Sequence, residues 1–215
     1  METSAANRHE RRRTRNRDAI LSAAESLFGA RGIEAVSIDE IALAADLAKG
    51  TVYNHFADKD ALAAEIAAQA RADGEARVTE VNAGIVDPIR RTIRGMLVFA
   101  RFAWERPERA RAMMRLGVSA ADPDAPINTG VRADVELGLA NDAFRGDAAS
   151  ATLLVLGTAY TLITFIAGAG LSREAAMAVG RDVTARVLSG LGVPEALALS
   201  TAAAEAADIF KGETR

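Results

Sequence analysis

Lys49, Thr51, Tyr53, Asn54 and His55 fall within one short segment that is too polar to be core. Hydroxyl, phenol and imidazole groups suit phosphate oxygens, whereas an ammonium and a carboxamide can reach base edges in a major groove. Gly50, among them, lets a backbone come close. Upstream, Ser37 with Glu40 three residues later forms a capping box, in which each side chain satisfies the other residue's free backbone amide. The spacing predicts one helix opened by Ser37, with Ile38 and Ile41 turned inward, a tight break at Asp46, and a second helix from Ala48 to about Phe56. That is the layout of a helix-turn-helix over residues 37–56, in which one helix braces and the other reads the groove. Taken singly, Tyr53 also reads as a half-buried aromatic, His55 as a surface residue and Asn54 as a helix-end residue.

Composition sets the frame around that segment. The chain has 215 residues, half of them hydrophobic, enough to bury a core in one or two domains. It has no cysteine, which excludes disulfides and thiolate metal sites, and its only histidines are His9 and His55. A net charge of −3 is an unpromising total for a partner of a polyanion, but its distribution is uneven. Through Arg17, six arginines (Arg8, Arg11, Arg12, Arg13, Arg15, Arg17) stand against Glu2 and Glu10, a local balance of +4. This arm lacks an apolar stretch followed by a cleavage site, so it does not read as a secretory signal, and a cytoplasmic location is expected.

No strand alternation is sustained, and apolar residues recur at three and four, which predicts an all-α fold of about nine or ten helices. Ile20, Leu21, Ala24, Leu27 and Phe28 give the first helix an apolar face, ended by Gly29 to Gly32. Asp58 caps a helix running to about Val81, with Gly74 as an interruption that would soften it. Asp87 and Pro88 open a helix striped by Ile89, Ile93, Leu97, Ala100 and Trp104, and Pro107 opens the next. Residues 119–130 read as a loop, followed by a helix to about Phe144. Asp147 caps a helix to about Gly170, Ser172 opens one ending near Gly190, and an alanine-rich helix fills residues 195–210.

The string Ala48-Lys-Gly-Thr-Val-Tyr-Asn-His-Phe-Ala-Asp-Lys-Asp-Ala-Leu62 closely resembles the second helix and following segment of tetracycline-repressor (TetR) family regulators. The resemblance extends upstream through Ser37-Ile-Asp-Glu-Ile-Ala and the Ile20 to Phe28 helix with Arg31-Gly32, covering about residues 14–74. It implies phosphate anchoring by Ser37, Thr51, Tyr53, His55 and Lys59, with Lys49, Gly50 and Asn54 approaching bases. Two departures stand out. Asp46 replaces the usual turn glycine, and Ala48 replaces the hydroxyl residue that usually begins the reading helix, at a cost of about 1 kcal/mol. The arginine arm, with Arg13 among the expected DNA contacts, is the candidate for making up the lost affinity. The expected division is a flexible basic arm over 1–13, a three-helix DNA-binding domain over 14–74, and a larger helical regulatory and dimerisation domain over 75–215.

From Ala148 to Ser172 no charged residue occurs, long enough to raise a membrane span near 148–172 and a membrane-anchored regulator as an alternative. Threonines, three glycines and the absence of a flanking basic cluster favour a helix packed on its own core and on a second subunit. Gly157, Thr161 and Gly168, with Ala176, Gly180, Val183, Thr184 and Val187 on the next helix, are the expected dimer face, as the family commonly builds from two helices of each subunit. The reading helices of the dimer would lie about 34 Å apart. The resemblance also implies a small-molecule effector, largely apolar, in the helical body. Met96, Phe99, Phe102, Ala103, Trp104, Met113, Met114, Phe144, Tyr160 and Phe165 are candidate walls, although such residues are most often core. Catalysis has little support. Gly168-Ala-Gly170 lacks the third glycine of a dinucleotide loop, and Asp122 and Asp124 precede Pro126 and Ile127 where a calcium loop needs a ligand and glycine. No cofactor or metal is expected, and an enzyme with a vestigial DNA-binding head is the last alternative. The expected partners are double-stranded operator DNA, a second copy of the chain and the effector, with no membrane.

Overall fold

Five helix starts share one device, a side-chain oxygen that accepts a first-turn amide. Ser37 takes the amide of Glu40, Asp58 that of Ala61, Asp87 that of Ile89, Asp147 that of Ser150 and Ser172 that of Ala175. A computed structural model of the chain describes residues 2–115 and 128–211, and among them are ten helices and no strand. They are α1 (Glu2–Arg31), α2 (Ile38–Ala44), α3 (Lys49–Tyr53), α4 (Lys59–Val81), α5 (Pro88–Glu105), α6 (Pro107–Arg115), α7 (Thr129–Ala140), α8 (Ala148–Ala169), α9 (Arg173–Gly190) and α10 (Glu195–Ile209). Most of the loop expected over 119–130, with Asp122 and Asp124, lies outside the described residues; its last two positions already belong to α7.

Three local expectations are corrected. The arm over 1–13, expected to be flexible, is helical from Glu2 onward and continuous with the Ile20 stripe. Arginine and alanine are strong helix formers, no glycine or proline precedes Gly29, and the Thr14 hydroxyl donates back to the Glu10 carbonyl at 3.1 Å. α4 is not interrupted at Gly74. The glycine instead admits the Phe99 ring, whose Cε1 would lie 2.3 Å from an added Cβ. α7 stops at Ala140 rather than Phe144, because Asp142 turns left-handed (φ 57°) and the chain folds back so that the Phe144 amide donates to Gly138 O.

Packing divides into a head and a body. In the head, Ile20, Ala24, Phe28, Ile41, Val52, Phe56, Leu62 and Ile66 are buried together. The body buries Leu97, Ala100, Ile163 and Ile166 in one cluster and Ile93, Val135, Val155 and Leu188 in another. α6 belongs to both: Ala112 completes the head core, whereas Ala110 and Met113 lie in the body core. α10 docks on α5 through ions. Glu205 accepts from Arg90 Nε at 2.5 Å and from Arg94, and Arg94 also pairs with Asp208 at 2.9 Å and donates to Val81 O.

The capping box gives a stability dependence with a definite sign. Glu40 accepts the Ser37 amide at 2.8 Å, the largest influence, and is bonded also by Arg31 and the Ser37 hydroxyl, which hold its pKa at about 2. A carboxylate depressed on folding stabilises above its unfolded value and loses that contribution as pH falls. Ser37→Ala is expected to lower Tm by about 2–4 °C near neutrality. The difference from wild type should shrink as pH falls from about 4.5 towards about 2, where Glu40 protonates in the folded protein, and thermal scans across pH check it.

Candidate functional site

α3 is held by little besides its hydrophobic base. Val52 is fully buried in the head core, and the turn before the helix is made by Asp46 in the left-handed region (φ 54°), the conformation usually given to glycine. Ala48 occupies the N-cap with no side-chain cap bond, so the departure noted in the sequence is a real loss. Around that base Lys49, Gly50, Tyr53 and Asn54 are exposed together, with Thr51 and His55 half-buried beside them. Lys49 pairs with Asp39 at 2.9 Å, an exposed bridge that costs little to exchange for another anion. Lys59 reaches back to the carbonyl and carboxylate of Glu34. The Ser37 hydroxyl and amide are both engaged by Glu40, so this residue is committed to the cap.

Burial, then the charges of Arg13 and Arg17, lower the pKa of His55, so it is neutral near pH 7 and offers one N–H and one lone pair. Those charges bring the arginine-rich half of α1 beside the end of α3. Arg17, the last arginine of the basic run, fixes the approach: its guanidinium lies 5.3 Å from the Phe56 ring centroid and 2.9 Å from Glu65.

In the body a cavity of about 700 Å³ opens between α4, α5, α6, α7 and α8. Of the expected wall residues, Met96, Phe99, Met113, Met114 and Tyr160 line it, and the Tyr160 hydroxyl donates to Met114 O at 3.0 Å. The other five do not. Ala103 is buried in the core; Phe102 and Trp104 pack against that core, with the Trp104 indole donating to Leu171 O; Phe144 fills the space left by Gly138; and Phe165 is 52% exposed. A polar wall was missed: Arg71, Glu75, Thr79 and Asn82 along α4, Arg91 and Thr92 on α5, and Asp134 on α7. The four-residue repeat of Arg71, Glu75 and Thr79 was legible, but polar residues at that spacing read as a solvent face.

Residues 20–66 match the family model described as bacterial regulatory proteins, tetR family. Over that segment, the head of the chain is similar to the tetR family's DNA-binding domain. The head is thus a helix-turn-helix DNA-binding domain of a transcriptional regulator. A comparison with curated proteins gives no match. Solved structures share the fold along nearly the whole chain. RolR in complex with resorcinol is 22% identical with a TM-score of 0.62, covering 95% of this chain and 97% of that one. A gamma-butyrolactone receptor, ArpA-like, is 21% identical (TM-score 0.68; 92% and 99%). CprB from S. coelicolor A3(2) is 21% identical (TM-score 0.67; 94% and 100%). At these identities the likeness carries the fold.

In the body, α8 is long and apolar enough to cross a membrane, and it is two-faced. Val155, Leu156, Ile163 and Ile166 are buried in the chain's own core, while Leu154, Gly157, Thr161, Phe165 and Gly168 are exposed along the other side. The expected small-residue face of α9 needs correction. Ala176, Gly180, Thr184 and Val187 are buried within this chain, and an added Cβ at Gly180 would lie 3.1 Å from Leu97 Cδ2, so this stripe admits α5 rather than a second subunit. Val183 is half-buried against the same core.

Proposed function

We propose that the chain is a homodimeric repressor that binds double-stranded operator DNA through α3 and leaves it when a small, largely apolar effector fills the body cavity. The observation that carries this reading is α6, which joins the cavity wall to the head. Met113 and Met114 line the cavity, while Arg111 donates to Gly29 O on α1 at 3.1 Å and to Ala167 O on α8, and Arg109 meets Glu25 of α1 and Asp73 of α4. An effector that shifts α6 therefore moves the head. Release requires that it prefer the non-binding arrangement, by about 1–3 kcal/mol for a typical coupling. Of the structures named above, one is a complex with resorcinol and another is described as a gamma-butyrolactone receptor, which fits a small-molecule role for the cavity.

In this reading Thr51, Tyr53, His55 and Lys59 hold phosphates and Lys49, Gly50 and Asn54 approach bases, with Arg13 extending the contact along α1. Ser37 contributes by fixing α2. The head over 14–74 reads DNA, and the body over 75–215 senses and dimerises. The second copy sits on the outer face of α8: an added Cβ at Gly157 or Gly168 would meet nothing within 4 Å in this chain, so these glycines leave room for a neighbouring helix. With its opposite face built into the core, α8 is better read as a dimer helix than as a membrane span, which favours the cytoplasm.

The test joins genomic fragment selection to sedimentation. The wild type should sediment as a dimer and enrich discrete operator fragments. Tyr53→Ala should bind them ~10-fold or more weakly with Tm and dimer unchanged. A monomer at micromolar concentration, or undiminished binding by the variant, rejects the reading.

A further inference from the structure

We propose that the cavity takes a neutral, elongated, mostly apolar molecule carrying a hydroxyl group, and that Asn82 and Thr92 hold the hydroxyl. The inference rests on the cavity being the effector site and names the chemistry of the effector.

Charge excludes the alternatives first. The charged side chains on the described wall are Arg71, Glu75, Arg91 and Asp134, two of each sign, and Arg91 is already joined to Asp134 at 2.6 Å. An ion entering such a space gives up its hydration without meeting a net opposite charge. Length follows from α4, which lines the cavity from Arg71 to Asn82, about 16 Å at the rise of an α-helix. Alongside run Met96, Phe99 and Ile163, so the body of the occupant is apolar.

The hydroxyl is called for by two oxygens. Asn82 Oδ1 and Thr92 Oγ1 are buried with no hydrogen-bond partner, on residues only 4% and 5% exposed, and both residues belong to the cavity wall. Asn82 Nδ2 donates to the carbonyl of Arg91, the neighbour of Thr92, which leaves Oδ1 as the unused acceptor of that amide. Folded proteins pair most such atoms, because a buried polar group without a partner is costly. A hydroxyl supplies what is missing: one proton to donate to Asn82 and lone pairs to accept from Thr92 after a turn about its χ1. An ether has no proton to give, and a carboxylate has none at neutral pH.

Calorimetric titration of the full-length protein with 1-decanol, decyl methyl ether and decanoate tests this. The alcohol should bind about tenfold more tightly than either analogue. In the Asn82→Ala/Thr92→Val double variant the preference for alcohol over ether should fall to within about twofold. Thr92→Val alone should raise the Tm of the ligand-free protein by about 2–4 °C while weakening the alcohol, opposite signs that a merely structural threonine would not give. Equal binding of alcohol and ether to the wild type means that water fills the role, and it overturns the proposal. So does tighter binding of decanoate, or no binding of any of the three. Operator release is read separately by fluorescence anisotropy. Alcohol that binds with the expected preference but leaves DNA bound defeats the induction reading and leaves the ligand chemistry standing.

Discussion

Glu205→Ala is expected to lower the unfolding free energy by about 3–5 kcal/mol, the scale for breaking a buried ion pair by removing one partner. Glu205 is buried between α10 and α5 and receives both Arg90 and Arg94. Its loss leaves Arg94, itself buried, with the more exposed Asp208 and one carbonyl. Arg90 is the more exposed partner, and its pKa is raised by the Glu205 hydrogen bond and charge. The main cost therefore falls on Arg94. Chemical denaturation measures it, and replacing Arg94 and Glu205 together with apolar residues of similar size should recover most of the loss. If Glu205→Ala costs under 1 kcal/mol, α10 is held by its apolar face and the remaining Arg94–Asp208 pair rather than by Glu205.

Gly29→Ala is expected to damage both stability and communication. An added Cβ would lie 2.0 Å from Glu108 Cβ and 2.6 Å from Glu108 Cα, so the obstacle is the backbone of α6. Overpacking of this kind typically costs about 1–3 kcal/mol. The geometric effect matters more: α6 must back away from α1, and the 3.1 Å bond from Arg111 to the Gly29 carbonyl lengthens or breaks. Operator affinity should change and its response to an effector should weaken, while binding in the cavity survives. Parallel measurements of Tm, operator affinity and ligand affinity separate these effects. A variant that retains full ligand response would place the coupling elsewhere.

What the sequence disclosed was what is decided locally. The caps at Ser37, Asp58, Asp87, Asp147 and Ser172 depend on residues two or three apart, and all form. Asp46 as a left-handed turn residue was legible for the same reason. The stripe of Ala176, Gly180 and Thr184 correctly announced close helix packing, but small residues do not say whose helix approaches. Here it is α5 of the same chain. The aromatic candidates divided likewise: Phe99 and Tyr160 line the cavity, whereas Phe144 found its space at Gly138. The polar cavity wall and the Glu205 cluster were hidden by distance. Arg91 meets Asp134, and Arg94 meets Glu205, across separations that periodicity cannot see.

The shared ownership of α6 also bears on how the chain unfolds. Residues 14–74 hold most of the proposed reading apparatus, yet Ala112 and the Glu108 backbone that fit against them arrive from beyond that boundary. An excised head would present this seat to water. Head and body are therefore expected to melt as one cooperative unit, so that the proposed boundary at residue 74 would divide two tasks rather than two autonomously folding pieces.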